Sequence, residues 1–288
     1  MKNKSFIIGD GTGKTKLRPV KYLVKAGLAE PLFVIAGPCV IEDKDTCRQI
    51  AEQILTITQK LRIGYIFKAS FDKANRTSIS SFRGPGLQDG LAILSAIRDE
   101  FDIPVLTDVH ETGQVKAVSE VVDCLQIPAF LCRQTDLLIA CAETQKPVNV
   151  KKGQFISPAE MKNAVEKIRA SGNEKIMLTE RGTFFGYNRL VNDMAGISIM
   201  KGLGCPVVFD ATHSVQMPGG LGTASAGSRE IAPVLARAAI AAGADALFIE
   251  VHTDPDKAKS DAACVMPVEW VENTLKVCKE IFEIVHEK

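Results

Sequence analysis

Short apolar runs rich in β-branched and aromatic residues recur along most of the chain, at 33–36, 65–67, 104–107, 124–127, 148–150, 175–178, 206–209 and 246–249. Continuous runs of this length, bounded by polar and turn-forming residues, predict strands buried on both faces. Between them the apolar positions change to helical spacing, over 45–61, 87–100, 112–120, 134–143, 158–170, 190–201 and 228–242, and a last helical segment at 268–285 closes the chain. Strand-then-helix units that repeat about every thirty residues, with no Pro/Gly/Ser-rich linker, predict an α/β fold, a single (β/α)8 TIM barrel over residues 33–288. A doubly wound open sheet is the alternative. Residues 1–32 precede the first unit and read as a short N-terminal cap, with a hairpin around Gly9 to Lys14.

Composition narrows the function classes. The chain has 288 residues, 46% hydrophobic content and a net charge of +1, which suits one large domain and argues against a nucleic-acid partner. The first residues hold only a three-residue apolar run, so neither a signal peptide nor a membrane span is expected. Eight cysteines without a CxxC pair suit reduced thiols in the cytoplasm. Gly11-Thr12-Gly13-Lys14-Thr15 imitates a phosphate loop, but the leading glycine sits one residue too late and Pro19 follows where a helix should run.

The densest chemistry lies between Tyr65 and Gly86, where Lys68, Lys73, Arg76 and Arg83 alternate with Ser70, Asp72, Asn75 and Thr77 directly after a predicted strand. Lysine supplies a point charge and arginine a planar fork, so cations mixed with small hydrogen-bonding side chains at a strand end suit a phosphorylated, acidic ligand. A merely solvated basic loop is the plainer reading. Asn75-Arg76-Thr77 also fits the glycosylation sequon, which is set aside because nothing suggests secretion.

The other predicted strand ends carry Gly37-Pro38-Cys39, Asp108 to Glu111, Gln126, Lys151-Lys152, Glu180-Arg181, Asp210 to His213 and Glu250 to His252. Barrel interiors prefer Val, Ile and Leu, so charge gathered at one end marks the working face. Cys39, His213 and Glu250, with Asp261 beyond the eighth strand, fall on neighbouring strands of a closed barrel and suit Zn²⁺ or Fe²⁺ better than Mg²⁺. The residues alone leave Cys39 open between a buried core thiol and a ligand.

Several stretches are shared with a known family: Ala36-Gly37-Pro38-Cys39, FKASFDKANRTS at 67–78, Arg83-Gly84-Pro85-Gly86, TDVHE at 107–111, QIPAFLCRQTDLL at 126–138, NVKKGQF at 149–155, ERGTFFGYN at 180–188, DATHSVQ at 210–216 and FIEVH at 248–252. In these the chain resembles the 3-deoxy-D-manno-octulosonate 8-phosphate synthases. The resemblance spans nearly everything past residue 32. It implies condensation of phosphoenolpyruvate with arabinose 5-phosphate in lipopolysaccharide Kdo biosynthesis, by a cytoplasmic homotetramer. The related synthases that use erythrose 4-phosphate carry Lys-Pro-Arg-Thr where this chain has Lys73-Ala74-Asn75-Arg76-Thr77, so Asn75 speaks for the five-carbon aldose phosphate.

The resemblance also implies site roles. Cys39 falls where metal-dependent members have cysteine and metal-free members asparagine, which makes Cys39, His213, Glu250 and Asp261 the expected ligands of Zn²⁺, Fe²⁺ or Mn²⁺. Lys68, Ser70, Lys73 and Gln126 are expected near the phosphoenolpyruvate carboxylate, and Lys151 with Arg181 at its phosphate. Asn75 and Asp108 would meet sugar hydroxyls, and Arg76 with Thr77 the sugar phosphate, across a subunit boundary. His213, Asp261, Lys73 and Asp108 are the candidate catalytic groups. The chain departs from the family at Thr253, Ala262, Ala226 and Ser228, in two loops of the working face.

Overall fold

A computed structural model describes residues 5–217 and 226–286 of the chain. The expected strands form as β1 (Phe33–Gly37), β2 (Gly64–Lys68), β3 (Val105–Asp108), β4 (Cys124–Ile127), β5 (Val148–Lys151), β6 (Ile176–Glu180), β7 (Val207–Asp210) and β8 (Ala246–His252). Neighbours in this series pair in parallel, β8 also pairs with β1, and β7 pairs with β8 through Val208 opposite Ala246, which closes the sheet. The fold is therefore a (β/α)8 barrel and not an open sheet.

Outside the barrel lie α1 (Lys44–Leu61), α2 (Leu87–Phe101), α3 (Thr112–Ser119), α4 (Thr135–Glu143), α5 (Met161–Ala170), α6 (Ala195–Lys201), α7 (Ala232–Ala241) and α8 (Val268–His286). Two differ from the sequence reading. The helix expected over 190–201 starts only at Ala195, because Leu190–Val191 pairs antiparallel with Thr183–Phe184 in a small hairpin beyond β6. Asp193 Oδ1 then accepts from the Ala195 amide at 3.0 Å and opens the helix there. Pro158–Glu160 forms a 3₁₀ turn before α5, held by the reciprocal Ser157 and Glu160 capping bonds.

The segment before β1 forms an antiparallel pair, Phe6–Ile8 with Val24–Ala26. Backbone bonds from Val20 to Gly9 and from Leu17 to Gly11 carry the pairing outward, so the hairpin tip lies between Gly11 and Leu17, slightly later than 9–14. Gly11 has φ +76° and a Cβ there would lie 2.2 Å from the Leu17 carbonyl oxygen, so the tip requires glycine. Phe6, Ile8, Val24 and Ala26 pack with Phe33, Ile35, Ile66, Leu106, Met177 and Val208 inside the barrel, separate from the larger core between strands and helices. The hairpin thus stops the barrel's N-terminal end with hydrocarbon.

Toward the other end the interior turns polar. Thr179 Oγ1 donates to Asn149 Oδ1 at 2.7 Å, and Asn149 Nδ2 donates to Gln126 Oε1 at 3.1 Å, which anchors Gln126. No helix among the described residues is long and apolar enough to cross a membrane.

The stopper makes a stability prediction. Ile8→Ala, at a fully buried position, should cost about 2–5 kcal/mol in urea unfolding, whereas Ile7→Ala, 39% exposed on the opposite face of the same strand, should cost less than about 0.5 kcal/mol. Equal losses at both positions would show that the hairpin does not fill the barrel end.

Candidate active site

A cavity of about 770 Å³ opens at the C-terminal ends of the strands. Lys68, Ser70, Lys73, Asn75, Arg76, Thr77, Asp108, Gln126, Lys151, Arg181, His213, Glu250 and Asp261 all line it. Alternation along each strand decides which residues reach it. Lys151 points into the cavity, while its neighbour Lys152 is fully buried against Gly182 O at 3.2 Å and Thr183 Oγ1 at 3.0 Å, supporting the turn after β6.

Glu250, at the end region of β8, is the electrostatic hub. Its Oε1 accepts from Lys68 Nζ at 2.6 Å and lies 3.8 Å from Lys73 Nζ, while Oε2 is 3.5 Å from His213 Nε2. Lys68 also donates to the Cys39 carbonyl at 3.0 Å. Burial opposes a charged Glu250, but His213, Lys68 and Lys73 outweigh it and hold the carboxyl well below the usual range. Burial likewise works against the Lys73 ammonium, and Cys39, Glu250, Asp108 and Asp261 together raise its pKa.

Cys39, Glu250 and Asp261 offer ligand atoms that all lie within 4.8 Å of one another. His213 is not part of this triad, although its Nε2 faces the Glu250 end of it. The ring is fixed from behind: His213 Nδ1 lies 2.7 Å from Asp210 Oδ2, and the His213 amide donates to Asp210 Oδ1 at 2.9 Å. The Asp210 carboxylate behind Nδ1, with Lys151 Nζ 3.5 Å from the same nitrogen, fixes the ring so that Nε2 faces Glu250, and a carboxylate behind the ring is common at metal-binding histidines. Burial first, and then the Glu250 charge, pushes the Cys39 thiol well above its ordinary value. The thiol and two carboxylates of Cys39, Glu250 and Asp261, with the His213 ring beside Glu250, are compatible with a divalent cation. Asp261 sits in the left-handed region at φ +48°, which aspartate adopts more readily than most residues, and its Oδ1 is held by Gln216 Nε2 at 2.7 Å.

The cations divide into two neighbourhoods. Lys151 and Arg181 are buried on the β5 and β6 side. Lys151 Nζ is paired with Asp210 at 2.5 Å and sits 3.6 Å over the Phe248 ring, and burial lowers its pKa despite Asp210. Arg181 NH2 donates to Gln216 Oε1 at 3.0 Å, while its buried NH1 has no hydrogen-bond partner among the described residues. A fixed guanidinium with an unspent donor facing a cavity suits an anionic oxygen. Arg76 differs: Nε donates to the Phe82 carbonyl at 2.9 Å and NH2 to the Lys259 carbonyl at 2.7 Å, so it ties two rim loops together beside Asn75 and Thr77.

Asp108 is held on both sides, accepting from Ser70 Oγ at 2.5 Å and lying 2.9 Å from His110 Nε2. Burial opposes the Asp108 charge, but His110, Lys68 and Lys73 lower its pKa strongly. Burial also opposes the His110 imidazolium, and the Asp108 bond and charge, helped by Asp72, raise it nonetheless. His110, Asp210 and Gln216 are the residues that sequence reasoning left without a role. Each stands in a stretch shared with the resembled family, TDVHE or DATHSVQ, which was the available signal.

The divergent loops are partly visible. Residues 218–225 lie outside the described residues. Beyond them Ala226 pairs with Met217, and the Ser228 amide donates to Val215 O at 3.3 Å. The Ala262 carbonyl accepts from Arg229 NH2 at 2.8 Å.

With this geometry in hand, comparison with known proteins is decisive for the family. The family model described as "DAHP synthetase I family" matches residues 13–287. The chain belongs to that family. It is 59% identical over 252 residues to the 2-dehydro-3-deoxyphosphooctonate aldolase of Desulfatibacillum aliphaticivorans, covering 88% of this chain and 92% of the relative. Relatives with the same name in Syntrophotalea carbinolica and Geobacter metallireducens are 54% and 55% identical over 262 residues, covering 91% of this chain and 95% or 96% of theirs.

The Asp108–His110 pair makes a pH prediction. In the folded protein the His110 midpoint should lie above the free value of about 6.5, and Asp108→Asn should bring it down. Because the folded pKa is raised, the pair stabilises the fold fully below the unfolded value and the contribution fades as pH rises through the folded one. Histidine ring NMR across that window checks both statements; a His110 midpoint at or below the free value would contradict them.

Proposed function

We propose that this chain condenses phosphoenolpyruvate with D-arabinose 5-phosphate and water to give 3-deoxy-D-manno-octulosonate 8-phosphate and inorganic phosphate, supplying Kdo for lipopolysaccharide as a cytoplasmic homotetramer. The observation that carries the reading is a single cavity lined by a buried Lys151/Arg181 pair, a second basic loop with Asn75 and the carboxylates of Glu250 and Asp261, which meet the Cys39 thiol just behind the cavity wall. Relatives bearing the aldolase name over about nine-tenths of the chain support it.

In this reading the phosphoenolpyruvate phosphate meets Lys151 and the free NH1 of Arg181, and its carboxylate lies toward Lys68, Ser70, Lys73 and Gln126. A trianion needs several cations where the dielectric is low. The aldose phosphate enters second, with Arg76 and Thr77 at its phosphate and Asn75 and Asp108 at its hydroxyls. The C3 carbon of the enol phosphate attacks the aldehyde carbon, whose oxygen takes a proton. Water adds to C2, and phosphate departs with the bridging oxygen as that carbon–oxygen bond breaks. Lys73, Asp108, His213 and Asp261 are the proton-handling groups within reach. His213 is oriented by Asp210, and Asp108 by Ser70 and His110. A divalent cation, Zn²⁺, Fe²⁺ or Mn²⁺, would be held by Cys39, Glu250, Asp261 and His213, and supplies Lewis-acid polarisation when bound.

Phosphate release with both substrates tests the activity. Arabinose 5-phosphate should be clearly preferred to erythrose 4-phosphate in kcat/KM, and Asn75→Ala should narrow the preference, since a site built around a hydroxyl discriminates strongly when that partner is missing. Equal or better turnover of erythrose 4-phosphate would assign the chain to the aromatic-pathway branch instead.

Two further outcomes separate the subsites. Arg76→Ala should raise the KM for arabinose 5-phosphate while Arg181→Ala weakens phosphoenolpyruvate, each by about 1.5–3 kcal/mol, and identical effects of both changes on both substrates would contradict the assignment. Dialysis against a strong chelator should abolish turnover, and Mn²⁺, Fe²⁺ or Zn²⁺ should restore it; full activity in metal-free protein would contradict the role given to Cys39.

A further inference from the structure

Gln216 joins the two halves of the cavity. Its Nε2 donates to Asp261 Oδ1 at 2.7 Å, and its Oε1 accepts from Arg181 NH2 at 3.0 Å. The other oxygen of Asp261, Oδ2, lies 3.2 Å from Cys39 Sγ, and the other terminal nitrogen of Arg181, NH1, is a buried donor without a partner among the described residues. Thiol corner and anion-binding guanidinium are therefore linked by one carboxamide. Its orientation is forced, because the flipped amide would set NH2 against a guanidinium and C=O against a carboxylate. The backbone that carries it is also fixed: Gln216 pairs with Gly227, where a Cβ would meet Cys264 Sγ at 2.1 Å.

We propose that Gln216 is a positioning residue that couples cation binding at Asp261 to anion binding at Arg181. The proposal rests on the reading of this cavity as the phosphoenolpyruvate and metal site. Hydrogen bonds in series polarise one another. A cation that draws charge from the Asp261 carboxylate weakens that group as an acceptor for Gln216. The Gln216 carbonyl then holds Arg181 less strongly, and the guanidinium is freer to meet a phosphate. By linkage the reverse holds equally: an anion on Arg181 favours cation binding at Asp261. Direct attraction between cation and anion acts as well, but it does not pass through Gln216.

Binding measurements without the sugar phosphate isolate the effect from turnover. Free Mn²⁺ is followed by electron paramagnetic resonance and phosphoenolpyruvate binding by calorimetry, each with and without the other ligand. In the wild type each should tighten the other, by a factor within the range of about 5–150 found for coupled sites. Gln216→Met, which keeps volume and removes both bonds, should lower that factor, through loss of the hydrogen-bond relay. Gln216→Glu keeps an acceptor for Arg181 but removes the donor to Asp261, so it should also lower the factor, and it carries the test if the Met variant folds poorly. A residue that merely supports the fold would weaken both ligands yet leave the factor intact. An unchanged factor in a folded variant, with normal phosphate release by the wild type, overturns the coupling alone. Failure of the wild type to bind phosphoenolpyruvate overturns the functional reading and the coupling with it.

Discussion

The working end of this barrel depends on Glu250, a carboxylate buried to 1% exposure in the wall between β8 and β1. An unpaired charge there would cost several kcal/mol even after relaxation. Glu250 is tolerable because Lys68, Lys73 and His213 surround it, and they in turn are tolerable because of Glu250. Backbone packing makes the contact feasible. Gly37 stands opposite Glu250 in the ladder, and a Cβ on it would lie 2.0 Å from the Lys68 carbonyl oxygen. The missing side chain lets β1 approach β2 closely, so that Lys68 reaches both Glu250 and the Cys39 carbonyl.

The two barrel ends divide the labour of stability and chemistry. Hydrocarbon from the N-terminal hairpin fills one end, and the layer of Gln126, Asn149 and Thr179 marks the change to a polar interior. Beyond that layer each buried cation has a carboxylate or carbonyl already in place: Asp210 for Lys151, Glu250 for Lys68, Gln216 for Arg181. A ligand of opposite charge entering such a site exchanges partners with groups already desolvated, and much of the orientation cost is met in folding.

Strand and helix periodicity carried the barrel, since eight buried apolar runs separated by amphipathic segments leave few other closed arrangements. It misjudged 190–201, where Leu190 and Val191 are apolar at helical spacing yet pair with Thr183–Phe184, a tertiary contact that no local pattern reports. Residue type at the strand ends pointed to the mouth without separating the charges that line the cavity, such as Lys151 and Arg181, from those buried behind it, such as Lys152 and Asp210. Their partners were illegible, because the Lys68–Glu250 and Lys151–Asp210 contacts span 182 and 59 residues and depend on barrel register. Gln216 and His110 were missed for a related reason: an amide and an imidazole two or three residues from a noted acid or histidine acquire a role only through what they face.

The central proposal is that a divalent cation binds at the Cys39, Glu250 and Asp261 corner and the phosphate of phosphoenolpyruvate binds at Lys151 and Arg181 in the adjoining cavity. Anomalous diffraction from crystals equilibrated with Mn²⁺ and phosphoenolpyruvate would test it most directly. The account predicts one strong metal peak bonded to those three side chains and His213, with the phosphorus on Arg181 NH1 and Lys151. A metal bound elsewhere, or phosphoenolpyruvate phosphate seated on the Asn75–Thr77 rim, would contradict it.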